Sequence, residues 1–412
     1  MKTGIGCRRK LHRELSLTHK VTSLSPANHP NVVVEGKARV QFTSRSSNVF
    51  YNPKMSLNRD LAILFAISHF PSDRLLQLCD PMAGSGVRAV RYALETSNVV
   101  SVVAADRQPE AAQLARETVH LNSVESKVSV IEADAYTLFA KNPRERFDLI
   151  DLDPFGSPSP FFESALRATE SGGVLAATAT DMGPLSGARP GACKRKYGVD
   201  PIRAEFEKEV ALRTMASALT TTAAKLELGI TLAFSHATDH YARLYATVIK
   251  GRKAANESLL NLGFVTHCAN CLNRTTNSFL SSIRGKCDNC GSQTSVGGPF
   301  WLGLLWDRET VRRMIQHTPL LFSTRLSEIQ KTLNCIENEV DTAPFYYTTD
   351  AAAAAFRTKP PPISTLLSSL KSMGYQATRT HFNPSGFRTD APTPQVALLF
   401  RTLTDESQPE KV

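Results

Sequence analysis

The sequence contains no apolar run long enough to cross a bilayer. Its longest candidates, such as LAILFAISHF at 61–70, fall well short of the roughly 20 residues a membrane helix needs. Nothing after Met1 reads as the apolar segment of a secretory signal, so a cytoplasmic location is expected. A disulfide scaffold is also unsupported. There are 8 cysteines in 412 residues; four form two close pairs, while Cys7, Cys79, Cys193 and Cys335 are scattered. That usage fits reduced thiols and one metal site. No internal repeat is visible.

What is present is an ordinary globular composition, 42% hydrophobic and 21% charged, on a chain long enough for two folded units. The net charge of +10 and pI near 9.2 suit a polyanionic partner, although charge alone does not identify one. The composition shifts along the chain divide it into a basic arm at 1–30, a unit at 31–250 and a second unit at 251–412. The arm carries Arg8, Arg9, Lys10, Arg13 and Lys20 with no sustained periodicity.

From Asn31, VVVEGKARVQF alternates as a hairpin, and a helix follows through LAILFAISHF. Strands and helices then alternate: LLQLCD, GVRAVRYALE, VVSVVAAD, PEAAQLARETVHLN, VSVIEAD and FDLIDLD. This order predicts an α/β, Rossmann-like, doubly wound parallel sheet with ligands at the carboxyl ends of its strands. GGVLAATATD, a long helix and the strands GITLAFSHAT and YARLYATVIK continue it. The second unit is predicted as a smaller α+β domain.

Asp80-Pro-Met-Ala-Gly-Ser-Gly-Val-Arg separates a strand from a helix, where small residues admit a ligand to free amide donors. Gly84, Gly86 and Ala89 also satisfy G-x-G-x-x-A, and Asp106 lies 22 residues beyond Gly84, so an NAD enzyme fits this stretch too. Asp80 before the glycines, and a third acid, Asp134, followed by Ala135, favour S-adenosyl-L-methionine. Each of these acids has a plainer reading as a helix cap. Arg88 can meet the methionine carboxylate, whereas Arg91 is expected to cover the helix surface.

Asp153-Pro154-Phe155-Gly156 ends the strand FDLIDLD. A carboxylate and a prolyl carbonyl can accept hydrogen bonds from an exocyclic amine while the ring stacks on its base, a contact worth roughly 1–3 kcal/mol. Such bonds aim the nitrogen lone pair at a methyl donor and help remove the proton. A base reaching this turn must leave its stack. The bland alternative is a simple turn with Phe155 in the core.

Cys268-Ala-Asn-Cys271 and Cys287-Asp-Asn-Cys290 are two C-x-x-C knuckles 15 residues apart, the pattern of a structural tetrathiolate Zn2+ site. A redox pair is the alternative. His267 is adjacent but surplus to four thiolates. Further on, Lys359, Lys371, Arg379, His381 and Arg388 interleave with Tyr375, Phe382 and Phe387, a mixture able to grip phosphates and stack on bases, or simply to form a solvated helical face.

The blocks VFYNPKMSLNRD, IDLDPFGSP, ATATDMGPLSGA and ATRTHFNPSGFRTDAP, in this order, resemble the tRNA guanine-26 N2-dimethyltransferase family, over most of the chain from VEGKARV to GFRTDAP. The resemblance implies a class I methyltransferase domain and S-adenosyl-L-methionine contacts by Arg59, Arg88, Asp106, Asp134 and Ala135. It further implies catalysis by Asp153, a base held between Phe155 and Phe50, tRNA as partner and two successive methylations of one nitrogen. Read without it, Phe50 would be core and Arg59 a surface or salt-bridged residue. No obligate protein partner is evident, and a monomer is expected. An enzyme acting on a DNA base or protein glutamine, or a non-catalytic zinc-ribbon RNA-binding protein, are the competing readings.

Overall fold

The computed structural model describes residues 31–42, 49, 51–141, 146–238, 240–280, 283, 285–339 and 343–405. The basic arm at 1–30 and Phe50 lie outside the described residues.

The hairpin expected near Asn31 is present as β1 (Asn31–Glu35) and β2 (Ala38–Phe42). It is followed by α1 (Ser56–His69), β3 (Leu76–Asp80), α2 (Val87–Glu95), β4 (Val99–Asp106), α3 (Pro109–Leu121), β5 (Val128–Glu132), α4 (Ala135–Lys141), β6 (Phe147–Leu152), α5 (Phe162–Ala168) and β7 (Thr169–Ala179). The chain continues through α6 (Met182–Leu185), α7 (Pro190–Tyr197), α8 (Glu207–Lys225), β8 (Leu228–Ala237) and β9 (Ala242–Lys250).

Seven strands form one sheet in the order β5-β4-β3-β6-β7-β9-β8. The first five are parallel, as the alternation with helices predicts. The last two are a correction to the all-parallel reading: β9 runs antiparallel to both β7 and β8. The short 238–241 connection explains this, because a parallel return needs a crossover of a dozen or more residues. The chain winds outward from β3 through β4 to β5, then returns to β6 on the other side of β3. The reversal opens a crevice at the carboxyl ends of β3 and β6. The glycine turn is packed tightly there. Gly86 has φ +77°, and a Cβ on it would meet Ala115 at 3.0 Å.

Beyond α9 (Arg252–Leu259), β10 (Leu262–His267) is flanked by β11 (Arg274–Asn277) and β12 (Ser295–Trp301). Next come α10 (Arg308–His317), α11 (Leu326–Glu339), β13 (Tyr347–Thr348), α12 (Thr349–Phe356), α13 (Ile363–Ser372), β14 (Ala377–Arg379), β15 (Gly386–Thr389) and α14 (Thr393–Asp405). One large core runs from the seven-stranded sheet through Trp301, Trp306, Met314, Leu333 and Phe382. A second, smaller core joins Tyr347, Phe356, Leu366, Phe387 and Phe400, and includes Leu272 from the zinc-type turn.

The expected phosphate-gripping face of the C-terminal segment is corrected in part. Arg388 is 2% exposed and pairs with Glu209 on α8 and Glu339 on α11. His381 also bonds Glu339, and Phe382 and Phe387 are core. The buried pairs with Glu209 and Glu339 and packing into the two cores draw these side chains inward, leaving Lys359, Lys371 and Arg379 exposed.

Candidate active site

The crevice is a cavity of about 1040 Å³, lined by Arg59, Asp80, Gly84, Arg88, Asp106, Asp134, Ala135, Asp153, Pro154 and Phe155. Every sequence-chosen cofactor and catalytic residue that is described therefore meets in one space. Phe50 has no described position, but its chain neighbours Val49 and Tyr51 both line the cavity.

Three strand ends supply the acids. Asp106 Oδ2 accepts from the Gly84 amide at 2.9 Å, and Oδ1 from the Gln108 amide at 2.9 Å, so it braces the glycine turn as well as starting α3. Asp134 accepts from the Thr137 amide and hydroxyl at 3.1 and 2.5 Å, and those bonds hold its carboxyl below the usual range. Each acid thus serves as a local cap and still faces the cavity. Asp80 differs. It is 2% exposed, its Oδ1 has no partner among the described residues, and burial pushes its carboxyl up to about 7 despite the opposing Arg88. A buried acceptor left unmatched is costly, so this atom fits a cationic ligand such as a sulfonium amino acid.

Arg88 is donated to the site by the first turn of α2. Its Nη1 binds Asn58 Oδ1 and Asp151 Oδ2, each at 3.0 Å, and its Nη2 pairs with Asp153. Asp151 is in turn held by both Arg243 terminal nitrogens, at 2.9 and 2.7 Å, and by the Tyr92 hydroxyl at 2.9 Å. Burial alone would raise Asp151, but Arg243 and Arg88 outweigh it and hold the group at about 2. The sequence pattern singled out neither Asp151 nor Arg243. The available signal was an arginine at an inward position of the strand YARLY, which requires a buried partner.

Arg59 is neither on the surface nor free. Its Nε and Nη2 form a two-pronged pair with Glu35, both bonds 2.6 Å, and Nη2 also reaches the Asn52 carbonyl at 3.1 Å. The Tyr51 hydroxyl binds the same Glu35 at 2.9 Å. Arg91 corrects the surface reading: it is fully buried among Glu35, Asp60 and Glu95, because β2 and α1 cover that face of α2.

The Asp153–Gly156 turn projects from β6. Gly156 has φ +85°, donates to Thr180 Oγ1 at 2.8 Å and accepts from the Thr180 amide at 2.9 Å. Phe155 is 76% exposed, so the core-filling alternative does not hold. Tyr241 lines the cavity nearby, buried, with its hydroxyl unpartnered among the described residues.

Away from this cavity, the Sγ atoms of Cys268, Cys271, Cys287 and Cys290 all lie within 4.8 Å of one another, with Cys268–Cys290 at 3.5 Å and Cys271–Cys287 at 3.6 Å. A tetrahedron of 2.3 Å Zn–S bonds has edges of about 3.8 Å, so the four sulfurs fit Zn2+. The two knuckles are also alike in backbone. Leu272 and Gly291 follow the second cysteine of each with φ +60° and +73°, and each donates to the carbonyl of the first. His267 stands outside this group, 3.5 Å from Glu205.

Residues 29–401 match the family model for N2,N2-dimethylguanosine tRNA methyltransferase. A tRNA (guanine(26)-N(2))-dimethyltransferase from Methanobrevibacter smithii is 34% identical, over 91% of this chain and 98% of its own. A tRNA (guanine(26)-N(2)/guanine(27)-N(2))-dimethyltransferase from Aquifex aeolicus is 33% identical, over 87% and 93%. Among solved structures, Trm1 from Pyrococcus horikoshii in complex with S-adenosyl-L-methionine superimposes with a TM-score of 0.81 at 32% identity, covering 89% of this chain and 98% of that one. The fold, the cavity and these relatives agree: the chain belongs to the N2,N2-dimethylguanosine tRNA methyltransferase family.

Proposed function

We propose that this protein transfers methyl groups from S-adenosyl-L-methionine to the exocyclic N2 of guanine 26 in tRNA, giving N2-methylguanosine and then N2,N2-dimethylguanosine. The observation that carries this reading is the Asp153-Pro154-Phe155 turn opening on the same cavity as Asp80, Asp106 and Asp134. When bound, S-adenosyl-L-methionine supplies an electrophilic methyl group on a positively charged sulfur.

The chain's own residues do the rest. Asp80 offers the charge-complementary acceptor, Asp106 and Asp134 face the ribose and adenine, and Ala135 and Gly84 allow close approach. Arg59 and Arg88 place positive charge toward the carboxylate end. The exposed Phe155 ring stacks on the guanine, with Phe50 as the opposing wall. Asp153 and the Pro154 carbonyl accept the two N2 hydrogens, which frees the nitrogen lone pair. With the donor bound, N2 would accept the methyl group it supplies, the C–S bonding pair staying on sulfur, and Asp153 would take the surplus proton that N2 gives up. After one transfer a single N2 hydrogen remains for the second.

The tetrathiolate Zn2+ site lies apart from this chemistry and serves structure. We assign 31–250 to methyl transfer and 251–412 to zinc and tRNA binding, in a cytoplasmic monomer. No helix among the described residues is long and apolar enough to cross a membrane. The test is incubation with unmodified tRNA and labelled S-adenosyl-L-methionine, followed by digestion to nucleosides. Dimethylguanosine mapping to position 26 supports the assignment; label in adenosine or cytidine, or no label, overturns it.

A further inference from the structure

The four blocks that carry the resemblance leave α7 and its flanks without a role, yet they form a concentrated cationic surface. Arg189, Lys194, Arg195, Lys196 and Arg203 are all exposed, and α7 itself contains no acid. Lys194 pairs with Asp200 at 3.0 Å and Lys196 with Asp181 at 2.8 Å. Arg189, Arg195 and Arg203 make no ion pair among the described residues.

Cations at a helix carboxyl end have an ordinary explanation, since they complement the helix dipole. That covers Lys194, Arg195 and Lys196. It does not cover Arg189, which sits at the opposite, amino end of α7 where a cation is unfavourable, nor Arg203, which lies beyond the helix. Their charge is left free for an anionic partner.

The surface is also fastened to the catalytic turn. Ser159 Oγ donates to the Lys196 carbonyl at 2.8 Å, and the Tyr197 hydroxyl to Asp181 at 2.6 Å. Asp181 follows Thr180, whose hydroxyl and amide clasp Gly156 beside Phe155. A phosphate backbone held on α7 is therefore held in fixed register with the stacking ring, which is what extracting one base from its neighbours requires.

We infer that Arg189, Arg195 and Arg203 form an RNA-docking surface that grips phosphates flanking the target guanine at the mouth of the cavity. This deepens the proposed function and rests on it, in that tRNA is taken as the partner. Each phosphate contact contributes about 0.9 to the slope of log affinity against log salt.

The test measures tRNA affinity directly, by anisotropy of labelled tRNA across salt concentrations, for the parent and for Arg189→Glu/Arg195→Glu. A charge-neutral Arg189→Gln/Arg195→Gln pair guards against effects of reversed charge. The control, Arg252→Glu/Lys253→Glu, lies at the opposite end of the sheet, where β9 finishes. The expected result is a tenfold or greater loss of tRNA affinity in the glutamate pair, a smaller loss in the glutamine pair, and a salt slope reduced by about 2 in both. S-adenosyl-L-methionine affinity stays as in the parent, and the control pair stays near it. A tRNA affinity within twofold of the parent, an equal loss in the control, or a parent that does not bind tRNA would each overturn the inference. Failure of the underlying assignment is seen separately, as tRNA binding without dimethylguanosine.

Discussion

Arg88 joins two carboxylates of the same strand end, Asp151 in the core and Asp153 at the cavity. Asp151 is fixed from behind by Arg243, so the guanidinium is a rigid backing that sets where Asp153 points. The acid assigned to the amine is thereby oriented by a buried chain of charge rather than by the loop that bears it.

The clearest consequence concerns Asp153 itself. Asp153→Asn retains the shape and a hydrogen-bonding group but cannot take the proton. Single-turnover methylation is expected to fall by about 10²–10⁴-fold, with S-adenosyl-L-methionine affinity little changed in calorimetric titration. Turnover near the parent's would remove Asp153 from the role of proton acceptor.

Asp80 predicts a pH effect with a definite sign. Its folded-state carboxyl titrates near 7 instead of 3.8, so the folded chain binds this proton more tightly than the unfolded one. Stability from this group is lost as pH rises from about 4 to about 7. Asp80→Asn is neutral throughout and should gain on the parent by about 1–3 kcal/mol between pH 5 and pH 8 in urea unfolding, while binding S-adenosyl-L-methionine more weakly. An equal difference at both pH values would rule this account out.

For the metal site, Cys287→Ser removes one of four thiolates. Metal analysis of the purified variant is expected to show zinc reduced from one equivalent to a small fraction. Full occupancy in the variant would mean the four sulfurs do not act as one shell.

Arg388 separates structural cations from RNA-binding ones. Arg388→Ala removes the guanidinium that joins buried Glu209 and Glu339, leaving Arg213 and His381 as their remaining charged neighbours, and breaking a buried pair in this way costs about 3–5 kcal/mol. The salt dependence of tRNA binding by the folded protein should not change. If stability were unaltered and the salt slope fell by about 1, Arg388 would be a phosphate contact after all.

The sheet and the site were legible in the sequence for a shared reason. Ligand-facing acids must stand at strand ends, and strand ends are marked by the switch from apolar runs to Asp, Gly and Pro. Asp80, Asp106, Asp134 and Asp153 all carried that mark. The buried ion pairs behind the site and in the C-terminal unit did not. Glu35, Arg91, Asp151, Arg243 and Arg388 are paired across stretches of chain that periodicity cannot connect, and a charged residue looks the same in sequence whether it faces water or a buried partner. The reversal of β9 was hidden for a related reason: each strand announces itself, but its direction depends on the length of the turn before it.

The twin knuckles bear on tolerance to change. Each is closed by short-range backbone bonds, the first through Leu272 and Asn273 and the second through Gly291 and Ser292, so these closures use residues next to the cysteines and none from the middle of the connecting segment. Lengthening that segment should therefore add only loop-closure entropy, about 0.6 kcal/mol per doubling. A Gly-Ser insertion after the exposed Phe279 is expected to leave bound zinc unchanged, and loss of the metal would show otherwise. The connection between the two turns is thus a place where relatives can diverge in length, and where a reporter can be introduced, without disturbing the thiolate shell.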